Sequence, residues 1–274
     1  MGLADKLDEA IRKSESETPN RYKIVDNDKG TERYYDNYLS NRAWEEFLDG
    51  MSDDHKGQFE KGGGKELSGE GKTPPKMASF GSSSRFAYNL LKGVDGICFE
   101  KKLPTKVSRG VANLDANIVF EEDNFEIFVE AKCREIYTDP NAYQKIYNDI
   151  GIEICPPFRW REAEIYHFDI KQLICHFLAI AAAILERRCK PNVKFVYLIY
   201  NPTDVVKHIN SEDGAEILRQ YEATLAEIRR FDMQMLFGRV LEIQFKRIKK
   251  HILDYSFEFV VADQNSWREH FVEK

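Results

Sequence analysis

The spacing of apolar residues along the chain predicts helices that alternate with strands. Helical spacing, with apolar residues every three or four positions, covers residues 3–13, 32–50, 82–91, 166–187 and 213–229. Strand patterns, alternating or continuously apolar, cover residues 97–103, 112–121, 125–133, 193–200, 240–245 and 257–261. From residue 82 the order is helix, three strands, helix, strand. This order predicts a mixed α/β fold with helices on the apolar face of the sheet.

A polar, glycine-rich stretch divides the chain after its first helices. Residues 52–76 hold three consecutive glycines between Lys61 and Lys65, followed by Pro74 and Pro75. This composition is typical of a loop or linker, and its glycine spacing does not match a phosphate-binding loop. We therefore predict helices and a linker over residues 1–76. One larger unit over residues 77–274 follows, and it ends in a C-terminal extension.

The strands at 112–121 and 125–133 are predicted to form a hairpin whose register the apolar residues determine. Residues 121–124 read Glu-Glu-Asp-Asn, a turn-forming sequence. Because a shift by one residue would turn every side chain of a strand to the other face, only a register that matches the apolar positions is acceptable. That register pairs Phe120 with Phe125, Ile118 with Ile127, Ala116 with Val129 and Leu114 with Ala131.

The same register has a consequence for the polar face of the hairpin. It sets Asp115 opposite Glu130, and Lys132 lies two residues further along the same face. Opposed Cβ atoms are ~4.5–5.5 Å apart, so two carboxylates there repel each other unless a cation compensates them. Mg²⁺, or Mn²⁺ in its place, prefers such oxygen ligands. Glu100, on the preceding strand, could join this face.

A solvated sheet face is the alternative interpretation, with Lys132 merely neutralising Glu130. Val119 and Phe128 share that face, and such a face is not open to water throughout. This observation favours a site.

Asp115, followed by Glu130-Ala131-Lys132 at a strand end, resembles the motif of the PD-(D/E)XK nuclease superfamily. The order of elements over residues 82–200 is similar to the αβββαβ core of that superfamily, and more narrowly to a restriction-endonuclease-like bacterial subgroup. Leu114 stands where the motif often has proline, a departure that is common in the superfamily. The resemblance implies a mixed central sheet flanked by helices, with N-terminal helical and C-terminal extensions.

The resemblance also implies roles for individual residues. Asp115 and Glu130 would bind a divalent metal, with the Ala131 carbonyl as a further ligand. Lys132 would orient or activate the attacking water, and Glu100 would add a carboxylate from the first strand.

Gln172 matches a helix glutamine that lies near the site in several members. It also reads as part of a capping box with Asp169, and the sequence leaves both roles open. His167 and His176, on or near the same helix, are interpreted as packing or surface histidines rather than catalytic ones.

Composition and charge exclude several classes of protein. The chain has 274 residues, 42% of them hydrophobic, and a formal net charge of −6, which argues against a non-specific nucleic-acid coat. No apolar run approaches the ~18 residues that a membrane span needs, and no signal-peptide block opens the chain, so we predict a cytoplasmic protein. The five cysteines lack zinc-ligand spacing and are interpreted as reduced core residues.

These observations predict a nuclease that hydrolyses DNA phosphodiester bonds with Mg²⁺ or Mn²⁺, with a restriction or defence role as one option. RNA is the weaker substrate prediction, since no RNA-binding motif is present. Two alternatives stay open: a non-catalytic nuclease-like fold that binds nucleic acid or protein, and a purely structural protein without metal. The sequence also leaves open whether the chain forms a homodimer.

Overall fold

The computed structural model describes residues 2–15, 21–26, 30–62, 66–69, 73–106, 110–138, 167–249 and 254–271. Helices and strands follow in the order α1 (Leu3–Glu15), β1 (Tyr22–Asp26), β2 (Thr31–Tyr35), α2 (Asn41–Asp49), α3 (Asp53–Gly62), α4 (Ser83–Leu91), β3 (Cys98–Pro104), β4 (Val111–Phe120), β5 (Phe125–Lys132), α5 (Ile170–Leu185), β6 (Asn192–Ile199), α6 (Ser211–Arg229), α7 (Met233–Ile248) and β7 (Ser256–Ala262). Short 3-10 turns at Lys76–Ala78 and Glu135–Tyr137 flank the site described below. The predicted mixed α/β class is confirmed.

Five strands form one mixed sheet in the order β3-β4-β5-β6-β7, while β1 and β2 pair with each other. The neighbours β3, β4 and β5 are antiparallel, whereas β6 runs parallel to β5 and β7 runs parallel to β6. Parallel neighbours need a crossover connection. Accordingly, α5 lies between β5 and β6 in the chain, and α6 with α7 lies between β6 and β7. The helices flank this sheet.

The predicted register of the β4–β5 hairpin is confirmed as far as the backbone pairing extends. Phe120 pairs with Phe125, Ile118 with Ile127 and Ala116 with Val129. Beyond Val129, a side chain rather than the β4 backbone accepts the β5 hydrogen bond: the Asp115 carboxylate accepts the Ala131 N–H at 2.7 Å. The strand pairing thus ends where the candidate site begins, and the two pairs predicted beyond it, Leu114 with Ala131 and Asp115 with Glu130, are not part of the ladder.

The central helix of the core is α5. It is buried on nearly every side, because α7 packs against it and the sheet strands β3 and β4 lie beneath it. A helix that is buried all round needs no polar stripe, which explains its continuous apolar sequence. Its Phe177 ring contacts Phe195 and Phe237 edge to face, with ring centroids 5.6 and 5.5 Å apart. No described helix is both long and apolar enough to cross a membrane.

The helix predicted over residues 32–50 is only partly correct. Thr31–Tyr35 is a strand that pairs with β1, and the helix α2 begins at Asn41. Ser40 caps this helix, since its side chain accepts the Ala43 N–H. Aromatic residues such as Tyr34 fit a strand as well as a helix face, so their spacing alone did not separate the two.

Two further predictions were wrong. The first part of the predicted linker is helical: α3 covers Asp53–Gly62 and buries Phe59 against Phe99, with stacked rings 5.2 Å apart. The strand predicted over residues 240–245 is part of α7, whose buried residues follow helical spacing from Met233 to Gln244. A short apolar segment looks alike in a helix and in a strand, and the longer period becomes visible only over the whole helix.

The described cysteines carry free thiols: Cys98, Cys133, Cys175 and Cys189. Cys133 is buried, as predicted for a core residue, whereas Cys98, Cys175 and Cys189 are half-buried. Cys155 lies outside the described residues.

Candidate functional site

A pocket of about 610 Å³ lies at the carboxyl end of β5. Strands β3, β4 and β5 supply its floor, and the first turn of α4 and the end of α3 supply parts of its wall. Every residue that the sequence predicted for the site lines this pocket: Glu100, Asp115, Glu130, Ala131, Lys132 and Gln172. The structure therefore brings together side chains from three strands and one helix.

The Asp115 side chain is held at the floor of the pocket. Its Oδ2 atom accepts the Ala131 N–H at 2.7 Å. Burial raises the pKa of Asp115 well above its ordinary value, and the neighbouring Glu130 carboxylate raises it further. The two carboxylates thus compete for positive charge, as the hairpin register predicts.

Glu130 and Lys132 form a buried ion pair on the same face of β5. The Lys132 Nζ lies 2.5 Å from Glu130 Oε1, and their side chains are only 8% and 3% exposed. Burial raises the pKa of Glu130, which Lys132 partly offsets. Burial alone would lower the pKa of Lys132, but the adjacent Glu130 holds that pKa well above its ordinary value. The lysine is therefore a fully charged ammonium group inside the protein.

Gln172 contributes to this cluster from the first turn of α5. Its Oε1 atom accepts a hydrogen bond from Lys132 Nζ at 2.8 Å. Asp169 caps the helix by accepting the Gln172 N–H at 2.9 Å, so the capping prediction for Asp169 is confirmed. The Gln172 backbone belongs to the cap, and its side chain belongs to the site.

Glu100 reaches the pocket from an irregular point in β3. Its neighbours Phe99 and Lys101 pair with β4, and Glu100 itself has a φ of 55°, a left-handed conformation that is strained for a residue with a side chain. A Cβ atom at Gly62 would lie 2.5 Å from the Glu100 carboxylate, so a larger residue there would displace the Glu100 side chain. Burial, followed by the charge of Asp115, raises the pKa of Glu100 to about 8.

His176 lies behind the pocket rather than in it. Its Nδ1 atom is 3.6 Å from Glu130 Oε2, and burial lowers its pKa to about 3, so the ring is neutral. His167 contacts α6, where its ring nitrogen lies 2.8 Å from Gln220 Nε2. Neither imidazole lines the pocket.

Sequence reasoning missed several charged residues of the pocket. Glu135, just beyond β5, accepts hydrogen bonds from the Ser83 hydroxyl at 2.6 and 2.7 Å and from the Cys133 N–H at 2.9 Å. Glu66 and Lys76, whose oppositely charged atoms are 3.5 Å apart, belong to the stretch that was predicted as a linker. Ser83 stood within a serine cluster that signalled a helix cap, but nothing in the sequence indicated its contact with residue 135.

The charges of the pocket fit a divalent cation. Its described lining holds five carboxyl groups and three cationic side chains, an excess of two negative charges when every group is ionised: Glu66, Glu100, Asp115, Glu130 and Glu135 against Lys76, Lys132 and Arg134. Burial is the main cause of the raised pKa values of Asp115, Glu130 and Glu100, and neighbouring carboxylates raise them further. Oxygen donors in excess of positive charge are the environment that Mg²⁺ prefers. Among the described residues, no group of three His, Cys, Asp or Glu side chains is arranged to hold a metal.

Helix α1 joins the pocket through Arg134, two residues after Lys132. The Arg134 Nη1 lies 3.1 Å from Asp8 Oδ2, and its Nη2 lies 3.2 Å from Asp5 Oδ1. Asp8 is completely buried, and this burial raises its pKa to about 7 against the opposing effect of Arg134.

We expect an Asp8→Asn substitution to flatten the pH dependence of stability. The pKa of Asp8 is raised from 3.8 to about 7, so its contribution to stability is complete below about pH 4 and is lost as the pH rises through about 7. For the wild-type protein this loss is on the order of 3 kcal/mol between about pH 5 and about pH 8. Urea unfolding of both proteins across this range measures the difference. Parallel curves would contradict the assignment.

Comparison with known proteins identifies no relative. No protein-family model matches the chain, and neither curated proteins nor solved structures gave a match. The function of the pocket therefore has to be argued from its own residues.

Proposed function

We propose that the protein is a divalent-metal-dependent nuclease that hydrolyses DNA phosphodiester bonds. One observation carries this proposal: Asp115, Glu130 and Lys132 converge on the floor of one pocket that has an excess of negative charge. Two carboxylates for a metal and one charged lysine for the phosphate are the groups that metal-assisted hydrolysis of a phosphodiester requires.

We extend the proposal to the fold. The order α4, β3, β4, β5, α5, β6 is similar to the αβββαβ core of the restriction-endonuclease-like proteins. Within it, Asp115 lies in the middle of the second strand, and Glu130 and Lys132 lie at the end of the third, an arrangement that resembles the PD-(D/E)XK pattern. This agreement supports assignment of the chain to that superfamily.

Asp115, Glu130 and the Ala131 carbonyl would hold the metal, with Glu100 beside them. Bound by these residues, Mg²⁺ or Mn²⁺ would supply Lewis-acid chemistry, polarising the phosphate and lowering the pKa of a water molecule. The raised pKa of Glu100, about 8, means that this carboxyl holds a proton near neutral pH unless a cation displaces it. Metal loading should therefore release protons from the pocket.

Lys132, which is paired with Glu130, would contact the phosphate or the attacking water through its ammonium group. An ammonium group has three N–H donors, and among the described contacts two of them point to Glu130 and Gln172. The third is available for a phosphate oxygen or for the attacking water. Because both acceptors hold the ammonium in a buried position, it stabilises developing negative charge without first having to reorganise.

Metal-dependent cleavage is the experiment that tests the proposal. We expect purified protein to cut plasmid and linear DNA when Mg²⁺ or Mn²⁺ is added, and the Asp115→Asn protein to lose this activity by about 10²-fold or more, because a metal ligand is removed. Glu126→Gln is the matched control. Glu126 is a buried glutamate on β5, the strand that carries Glu130, but it bonds to Asn117 and to the Lys190 backbone, outside the pocket.

The outcomes separate the proposal from its main alternative. Activity that survives in Asp115→Asn, or that falls equally in Glu126→Gln, would reject the site. A wild-type protein that binds DNA without cutting DNA or RNA would favour the non-catalytic binding module. One observation favours the non-catalytic binding module. The carboxylates of Asp115 and Glu130 already accept hydrogen bonds from the Ala131 N–H and from Lys132 Nζ, so both have partners without a metal.

A further inference from the structure

Arg134 is a half-exposed cation of the pocket that follows Lys132 closely in the chain. Its side chain is 35% exposed and lines the pocket, whereas that of Lys132 is only 8% exposed at the floor. Two residues separate them in the chain, so their Cα atoms are at most ~7 Å apart. Arg134 is therefore the more exposed of these two pocket cations and is close in the chain to the proposed catalytic lysine.

Two carboxylates of α1, Asp5 and Asp8, form ion pairs with this arginine. Asp8 is completely buried, and among the described residues no hydrogen-bond donor other than the Arg134 ion pair faces its carboxylate oxygens. Burying a carboxylate is costly unless a cation compensates it. A Cβ atom at Gly81 would lie only 2.0 Å from Asp8 Oδ1, so glycine at that position is what allows the approach. Asp8, Gly81 and Arg134 thus form a closely fitted unit rather than a surface ion pair.

The guanidinium group retains donors beyond those that face α1. It has five N–H donors in a planar fork, and the described ion pairs engage one terminal nitrogen with Asp8 and the other with Asp5. The remaining donors and the exposed third of the side chain are free to meet a ligand at the pocket. A planar fork of this kind binds phosphate oxygens in pairs, which an ammonium group does not do.

We propose that Arg134 binds a backbone phosphate next to the scissile one, and that Asp8 and Asp5 of α1 position it for this contact. The inference rests on the proposed function in taking a nucleic-acid strand as the ligand. Such a strand carries one phosphate for every ~3.4 Å of helix axis, so a phosphate at Lys132 has neighbours within reach of Arg134. Helix α1 is then part of the substrate site, although it lies far from β5 in sequence.

The experiment compares Arg134→Ala, Arg134→Lys and Asp8→Asn with the wild-type protein. We measure kcat and KM for Mg²⁺-dependent cleavage at several salt concentrations, the affinity for a fluorescent oligonucleotide in Ca²⁺, and the melting temperature. Arg42→Ala is the matched control, because it removes one arginine charge from α2, where the side chain is 89% exposed and pairs with Glu46.

We expect Arg134→Ala to raise KM and weaken oligonucleotide binding about tenfold, and to lower the salt dependence of binding by about one counterion. Arg134→Lys should recover the salt dependence but only part of the affinity, because it retains charge without the fork. Asp8→Asn should raise KM a few-fold with kcat near wild type. Arg42→Ala should change none of these values.

Other results overturn the inference. If Arg134→Ala lowers the melting temperature but leaves KM, affinity and salt dependence unchanged, the arginine only anchors α1. If the wild-type protein binds the oligonucleotide without cutting it and Arg134→Ala weakens that binding, the phosphate contact stands and the nuclease function fails. If the wild-type protein neither binds nor cuts, both proposals fail.

Discussion

A Lys132→Met substitution is expected to reduce Mg²⁺-dependent DNA cleavage by about 10³-fold, because it removes the one cation held at the floor of the pocket. Methionine has a similar length and fits the buried position, but it offers neither charge nor hydrogen-bond donor. The proposed metal ligands, Asp115, Glu130 and the Ala131 carbonyl, are untouched. Metal binding should therefore survive while cleavage is lost, and this combination assigns Lys132 to the chemical step.

Cleavage rates under single turnover and calorimetric titration of Mn²⁺ measure the two properties separately. Lys194→Met is the matched control, because Lys194 is a partly buried lysine on the adjacent strand that pairs with Glu258 at 3.4 Å. The control should cut DNA at a rate close to that of the wild-type protein. A Lys132→Met protein that retains more than about a tenth of the activity would show that the lysine is not catalytic.

The second large effect concerns the stability of the metal-free protein. Glu130→Gln and Lys132→Met should each lower the free energy of unfolding by about 3–5 kcal/mol, because either change leaves its partner charged and buried without compensation. The double variant should be much closer to the wild-type protein, since neither charge remains. The difference between the double variant and the sum of the single ones measures the interaction between the two side chains.

Urea unfolding in EDTA near pH 7 gives the four free energies. Adding Mg²⁺ should restore stability to Lys132→Met more than to the double variant, because only the former retains the Glu130 carboxylate as a ligand. Strictly additive losses would mean that the two side chains do not interact. Equal effects of Mg²⁺ on both variants would argue against Glu130 as a metal ligand.

The position of the site on the sheet could be predicted because its signal is local. Apolar residues alternate in β4 and β5, and a shift of one residue would bury the wrong face, so the pairing of Ile118 with Ile127 follows from the sequence. The same alternation placed Asp115, Glu130 and Lys132 together. The resemblance, and not the apolar pattern, suggested a position near the site for Gln172. Its side chain accepts a hydrogen bond from Lys132.

Secondary structure was predicted less well where the local signal is ambiguous. The first half of the predicted linker forms α3, whose few apolar residues include Phe59, and this helix is stabilised by packing on Phe99 of β3. The segment around Val240 looks like a strand over six residues and becomes a helix because α5 offers it a face to pack on. In both cases tertiary contact decided between conformations that local propensity leaves nearly equal.

The sequence by itself determined the mixed α/β class, the hairpin register and the set of residues at the floor of the pocket, because periodicity acts over neighbouring residues. Only the tertiary structure decided the wall of the pocket. Glu66 and Lys76 enter it from turns that follow α3 in the chain, and Arg134 is held by Asp5 from 129 positions away. Such contacts depend on how separate elements pack and on glycines that allow close approach, and no pattern along the chain records either of them.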